Sequence, residues 1–236
     1  MLETKWLYLI LNAGTISIPL IRSFESRVEF YRRFSSLFKS MFIVSGFFLV
    51  WDIYFTQQGV WGFTPAYLSG IMFLGLPLGE YLFFLTVPYA CVFIYDCLKF
   101  FKPNGILNSQ STKVISSVFI VFLYTIGFYG LLTGKWYTTS TFLLLATAIV
   151  LIQFVTGSTW LPRFYESYTI VLLPFFIKNG ILTGSLIDTQ VVWYNDQHNL
   201  GIRLGTIPFE DIFYGMLLVL GTVYFYERFE AKKAVL

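Results

Sequence analysis

Seven apolar stretches, each long enough to cross a lipid bilayer, leave this chain few ways to fold. They run over roughly 5–21, 37–56, 67–98, 114–132, 138–156, 165–183 and 207–227. A helix needs about 20 mostly apolar residues to span the hydrocarbon core, and in lipid the backbone must satisfy its own hydrogen bonds. Only 12% of the 236 residues are charged and the mean hydropathy is +0.69, against about 25% charged in a soluble domain. The expected fold class is therefore all-α, a polytopic membrane protein of about seven transmembrane helices. The third stretch is too long for one straight crossing and contains Pro77. It is expected to be a re-entrant or broken segment followed by a full span from Pro77.

The same composition excludes several classes. A net charge of +3, with the cations confined to a few loops, gives no reason to expect nucleic acid as a partner. Cys91 and Cys97 share one apolar stretch, where neither a disulfide nor a zinc site is expected, and His198 is the only histidine. No metal cluster and no cofactor are expected. A Gly-x-Gly-x-x-Gly fingerprint and a Walker A loop are both missing. The last stretch carries no lysine for a retinal Schiff base. Met1 to Lys5 lacks a basic leader region and a small-residue cleavage site, so the first apolar stretch is read as retained.

Charge in the loops gives an orientation. Arg22, Arg27, Arg32, Arg33 and Lys39 lie between the first and second stretches, Lys99, Lys102 and Lys113 between the third and fourth, and Arg228, Lys232 and Lys233 in the tail. The loops of the other parity are nearly free of cations, with Arg203 alone in 184–206. The positive-inside rule then puts the N-terminus outside and the C-terminus in the cytoplasm, in the inner (cell) membrane.

The chain also repeats itself. The 131-residue offset from Pro77 to Pro208 also pairs Glu80 with Asp211, Tyr95 with Tyr226 and Asp96 with Glu227. With slightly shifted offsets Trp61 matches Trp193, Thr56 matches Thr183 and Asp52 matches Asn179. The expected organisation is a first three-helix repeat over 1–100, a connector helix over 101–135 and a second repeat over 136–236. The two repeats would run parallel across a pseudo-twofold axis along the membrane normal.

Both repeats carry acids at the head of an apolar stretch: Pro77-Leu78-Gly79-Glu80 and Pro208-Phe209-Glu210-Asp211. Proline followed by an acid is also an ordinary helix start. But Pro77 follows ten largely apolar residues, which predicts that Glu80 lies within the bilayer, where a carboxylate costs about 2.5–3.5 kcal/mol. Paired, desolvated carboxyls can divide into a proton donor and an ionised partner. Phe83 and Phe84 follow Glu80, and Phe213 and Tyr214 follow Asp211. Aromatic faces around an acid suit a carbocation, which ring quadrupoles stabilise, although simple packing would place them there too. Trp6, Trp61, Trp136 and Trp193, near the ends of the stretches, fit an interfacial aromatic belt. Asp52 and Asn179 either line the same cavity or sit in water at the interface.

In this order and duplication, Trp51-Asp52, Gly59-Val60-Trp61-Gly62-Phe63, Leu76 to Phe84, Pro88-Tyr89 with Phe93-Ile94-Tyr95-Asp96, and Ile207 to Asp211 resemble the flavin-independent, membrane-integral lycopene cyclases in fused form. The family's first motif usually reads Pro-x-Glu-Glu, so Gly79 is a departure. The resemblance implies a redox-neutral cyclisation of the linear ψ end groups of lycopene to β-ionone rings, giving β-carotene by way of γ-carotene. It implies catalytic roles for Glu80, Glu210 and Asp211, with Glu210 as proton donor. Asp52, Trp61, Phe83, Phe84, Asn179, Trp193 and Tyr214 would contact substrate. The partners expected are lycopene or another linear carotenoid and the lipid bilayer; self-association into a homo-oligomer is left open. Two other readings stand behind it. A hydratase or prenyltransferase-like isoprenoid enzyme of the same architecture would be marked, if a prenyltransferase, by a need for Mg²⁺ and a diphosphate. A proton-coupled transporter would be marked by uptake without any change in carotenoids.

Overall fold

The computed structural model describes residues 4–233; the N-terminal reading at Met1 to Glu3 lies outside them. Seven helices follow one another: α1 (Leu7–Arg22), α2 (Phe34–Gln57), α3 (Leu78–Phe101), α4 (Ser109–Leu132), α5 (Trp136–Val150), α6 (Leu161–Leu182) and α7 (Phe209–Lys233). Helix α5 continues into a π-helical turn over Leu151–Val155. Five of the seven, α2 to α5 and α7, are long and apolar enough to cross a membrane by length and composition. A 24-residue helix such as α3 is about 36 Å long, enough for the roughly 30 Å hydrocarbon core.

The third apolar stretch resolves differently from expectation. Residues 67–77 are neither a re-entrant helix nor a broken one. After a 3₁₀ turn at Pro65–Tyr67 they form a hairpin, β2 (Met72–Phe73) against β3 (Leu76–Pro77). Leu74 and Gly75 have φ of 49° and 86°, the pair of positive values that a two-residue type I′ turn requires. Pro77 then ends the hairpin and caps α3, its fixed φ suiting both jobs. The second copy does the same, with β5 (Arg203–Leu204) against β6 (Ile207–Pro208) ahead of α7. Periodicity could not separate this short apolar run from helix; the positive-φ turn decided it.

The repeat governs the packing. Helix α1 packs on α3 as α5 packs on α7, and α2 packs on α7 as α6 packs on α3, while α3 and α7 meet across the pseudo-axis. Helix α4 connects the halves and lies mainly against α5. At one end of the axis, β1 (Trp61–Phe63) pairs antiparallel with β4 (Val192–Tyr194), Gly62 opposite Trp193. That register, symmetric about the Gly62–Trp193 pair, corrects the expected match of Trp61 with Trp193. Trp61 faces Tyr194, and its counterpart at the 131-residue offset is Val192.

At the other end the halves exchange hydrogen bonds. The Tyr95 hydroxyl donates to Glu227 Oε1 at 2.7 Å, and the Tyr226 hydroxyl donates to Asp96 Oδ1 at 2.8 Å. These are symmetry mates of one interaction. Lys99 Nζ reaches the same Glu227 oxygen at 2.6 Å, and Arg33 pairs with Asp96. Hydrogen bonds to charged groups contribute about 1.5–3 kcal/mol each. Removing both hydroxyls, as Tyr95→Phe with Tyr226→Phe, is expected to lower the Tm in detergent by at least about 5 °C, at roughly 2–4 °C per kcal/mol for this size. A Tm equal to wild type would show that the exchange holds nothing.

Candidate active site

The acids at the heads of α3 and α7 are placed by identical local structure. A hairpin ends in proline, the helix begins, and Glu80 and Asp211 occupy its first turn. The neighbouring helix then supplies a tyrosine. Tyr8 of α1 donates to Glu80 Oε2, and Tyr137 of α5 donates to Asp211 Oδ1 at 2.6 Å. Asp211 Oδ2 also accepts from the Tyr194 hydroxyl at 2.9 Å and from Asn179 Nδ2 at 3.2 Å. Burial, and next the charge on Asp211, push the Tyr194 hydroxyl well above its ordinary value, so it remains a donor at any physiological pH. A third acid comes from α2: Asp52 Oδ1 accepts from Trp61 Nε1 at 2.5 Å, while Asp52 Oδ2 is buried without a partner among the described residues.

Asp52, Glu80 and Asp211 line one cavity of about 390 Å³, shared by both halves. Its walls near the acids are aromatic. Trp61 lies 5.0 Å from Tyr137 and 6.0 Å from Tyr214, and Tyr137 stacks on Tyr194 at 6.0 Å, centroid to centroid. One lysine faces the same space. Lys178 Nζ donates to Asn12 Oδ1 at 2.9 Å and sits 4.6 Å above the Phe83 ring. Asn12 in turn accepts from Thr86 and donates to the Tyr8 and Gly79 carbonyls, so its polar atoms are all matched. No group of three His, Cys, Asp or Glu among the described residues is disposed to hold a metal ion.

The residues expected from sequence divide cleanly. Asp52, Trp61, Glu80, Phe83, Asn179, Asp211 and Tyr214 line the cavity. Glu210, Phe84 and Trp193 do not. Glu210 is fully buried on the far side of α7, where Oε1 accepts from Thr138 at 2.6 Å and from the Leu200 N–H at 2.7 Å. Adjacent helical positions are about 100° apart, so only one acid of the pair faces the cavity. Phe84 is turned toward Phe48 at 6.1 Å, and the Trp193 ring lies over Gly62.

Gly79 is the counterpart of Glu210, and the Tyr8 ring fills its place: a Cβ at Gly79 would come within 2.5 Å of that ring. The glycine therefore removes no acid from the cavity; it seats the tyrosine that holds Glu80. Sequence reasoning missed Tyr8, Tyr137, Tyr194, Asn12 and Lys178. Lys178 had a signal, as the one lysine inside the apolar stretch 165–183, where an ionisable residue marks a site by default. Tyr8 and Tyr137, at matching places in the two repeats, had one too.

A membrane-embedded, tandem-repeat protein with acids in an aromatic cavity is the class these features define. The Lycopene cyclase family model matches residues 5–98 and 134–229, one segment per repeat, and the chain belongs to that family. A curated relative, the bifunctional lycopene cyclase/phytoene synthase of Aspergillus niger, is 23% identical over 198 residues, covering 74% of this chain and 32% of the relative. The chain thus spans about a third of the length of that relative. No solved structure matches it.

Gly79→Ala is expected to push Tyr8 off Glu80, an overpacking change that costs about 1–3 kcal/mol. Thermal melting in detergent should register the loss; a variant as stable as wild type would mean that α1 shifts freely away from α3.

Proposed function

We propose that this chain cyclises the ψ end groups of lycopene, or of another linear carotenoid, to β-ionone rings by acid–base chemistry without a redox cofactor. The observation that carries this reading is the carboxyl of Asp52. One of its oxygens is fixed by Trp61, the other is buried without a partner among the described residues, and the residue borders a cavity walled by aromatic rings. A protonated carboxyl so placed has its O–H free for the substrate.

Asp52 gives its proton to C2 of the C1=C2 double bond, leaving a tertiary cation at C1. The C5=C6 electron pair attacks C1, forming the C1–C6 bond and moving the cation to C5. Loss of the C6 proton restores a C5=C6 double bond and closes the β-ring. Asp211, steadied by three donors, takes that proton. Glu80, within electrostatic reach of both Asp52 and Asp211, returns it to Asp52 for the next turnover. Atoms and electrons balance within the substrate, so the net change is an isomerisation. Trp61, Tyr137, Tyr194 and Tyr214 face the cation with their π-systems. The donor role expected for Glu210 passes to Asp52, because Glu210 faces away from the cavity.

The chain sits in the inner (cell) membrane with its N-terminus outside, by the distribution of Lys and Arg in the loops. Helices α3 and α7 then begin at the outer side, which puts the acids toward the outer leaflet.

Expression in lycopene-accumulating cells, followed by pigment extraction, tests this. Wild type should yield cyclised pigment. Asp52→Asn and Asp211→Asn should each lower cyclisation by about 10²–10⁴-fold, the usual contribution of a positioned acid or base. Glu210→Gln should keep activity within a few-fold of wild type. No cyclised pigment from wild type would sink the substrate, and full activity in Asp52→Asn would sink the donor.

A further inference from the structure

Beyond the acids, the cavity continues as an apolar arm between α1, α3, α6 and α7. Pro19, Ile94, Val171, Phe175, Leu218 and Val219 line it. Glu80 and Ile94 both border the cavity and lie fourteen residues apart on α3, which is about 21 Å of helix. The pseudo-twofold axis predicts a second arm on the other side, between α2, α3, α5 and α7. This cavity does not extend there: Asp52 is the only residue of α2, and Tyr137 the only one of α5, that borders it.

The physical reason is a single exchange. At the 131-residue offset, Gly215 of α7 corresponds to Phe84 of α3. Phe84 is completely buried and packs on Phe48 at 6.1 Å, at the place that Gly215 takes beside the open arm; Phe48 also packs on Tyr214 at 5.0 Å. On the open side, the absence of a side chain at Gly215 leaves that volume to the cavity.

We infer that this one arm is the binding site for the polyene half of a linear carotenoid and that Gly215 is the residue that keeps it open. The inference rests on the proposed function for the identity of its ligand. An apolar channel ending at carboxyls fits a chain that is apolar along its length and reactive only at its tip.

The test uses the full chain in lipid nanodiscs, in an Asp52→Asn background so that bound lycopene is not consumed, and reads quenching of tryptophan fluorescence by lycopene. A Cβ at Gly215 would meet Tyr168 Oη at 3.4 Å and Phe175 at 3.6 Å, ordinary contacts. Gly215→Ala should therefore fold normally and bind slightly more weakly, while Gly215→Leu, reaching into the arm, should raise Kd at least about tenfold. Gly46→Leu, at an exposed site on α2 with no atom near its Cβ, should bind as the parent does. Equal binding by Gly215→Leu and the parent overturns the assignment. Absence of any cyclised pigment would count against the proposed reaction, while the binding series would still decide the arm.

Discussion

A carboxylate taken out of water must be matched by donors or it destabilises whatever buries it, and the rest of this structure is arranged to meet that demand. Asp52, Glu80 and Asp211 lie within an apolar bundle, and apart from Thr56, one turn along α2 from Asp52, the donors that hold them come from other elements: Trp61 of β1, Tyr8 of α1, Tyr137 of α5, Asn179 of α6 and Tyr194 of β4. None of these acids is held by its own helix turn alone. The packing of α1 on α3 and of α5 on α7 is thus also what assembles the site. Anything that loosens those helix pairs exposes or orphans an acid.

Duplication supplies the frame, and divergence supplies the function. Hairpin, proline, acid and tyrosine recur in both halves with the same register, and the reciprocal Tyr95–Glu227 and Tyr226–Asp96 pairs lock the halves at the opposite end. Yet the two halves form one cavity, because the acids lie close to the axis. A symmetric frame around a single off-axis cavity must differ in its filling. The differences are large side chains exchanged for small ones, Phe84 for Gly215, and an aromatic exchanged for a cation, Trp51 for Lys178.

Much of this was legible in the sequence. Apolar length and low charge gave the helical bundle, and the recurrence at Pro77 and Pro208 gave its symmetry. Asp52, Glu80 and Asp211 stood out because an acid in an apolar context is costly enough to need a reason. What stayed hidden depends on direction. Residues 67–76 are apolar enough for helix, and only the positive-φ Leu74–Gly75 turn makes them a hairpin. Glu210 and Asp211 are equally acidic neighbours, and only the helical phase of α7, fixed by packing, turns one to the cavity and the other toward Thr138. Tyr8 and Tyr137 look like ordinary aromatic residues among many until the acids opposite them are placed.

Lys178 sharpens where the proposed cation forms. Protonated, Lys178 would repel a developing carbocation, and at low effective dielectric that repulsion would fall off slowly with distance. Lys178 is held over Phe83 and against Asn12, on the side of Glu80. The aromatic cluster of Trp61, Tyr137, Tyr194 and Tyr214 lies around Asp52 and Asp211 instead. In the proposed reaction, positive charge created in the substrate would be drawn away from the lysine and toward the rings, between the proposed donor Asp52 and the proposed base Asp211. The asymmetric exchange of Trp51 for Lys178 thus gives two acids of common origin, Glu80 and Asp211, different surroundings.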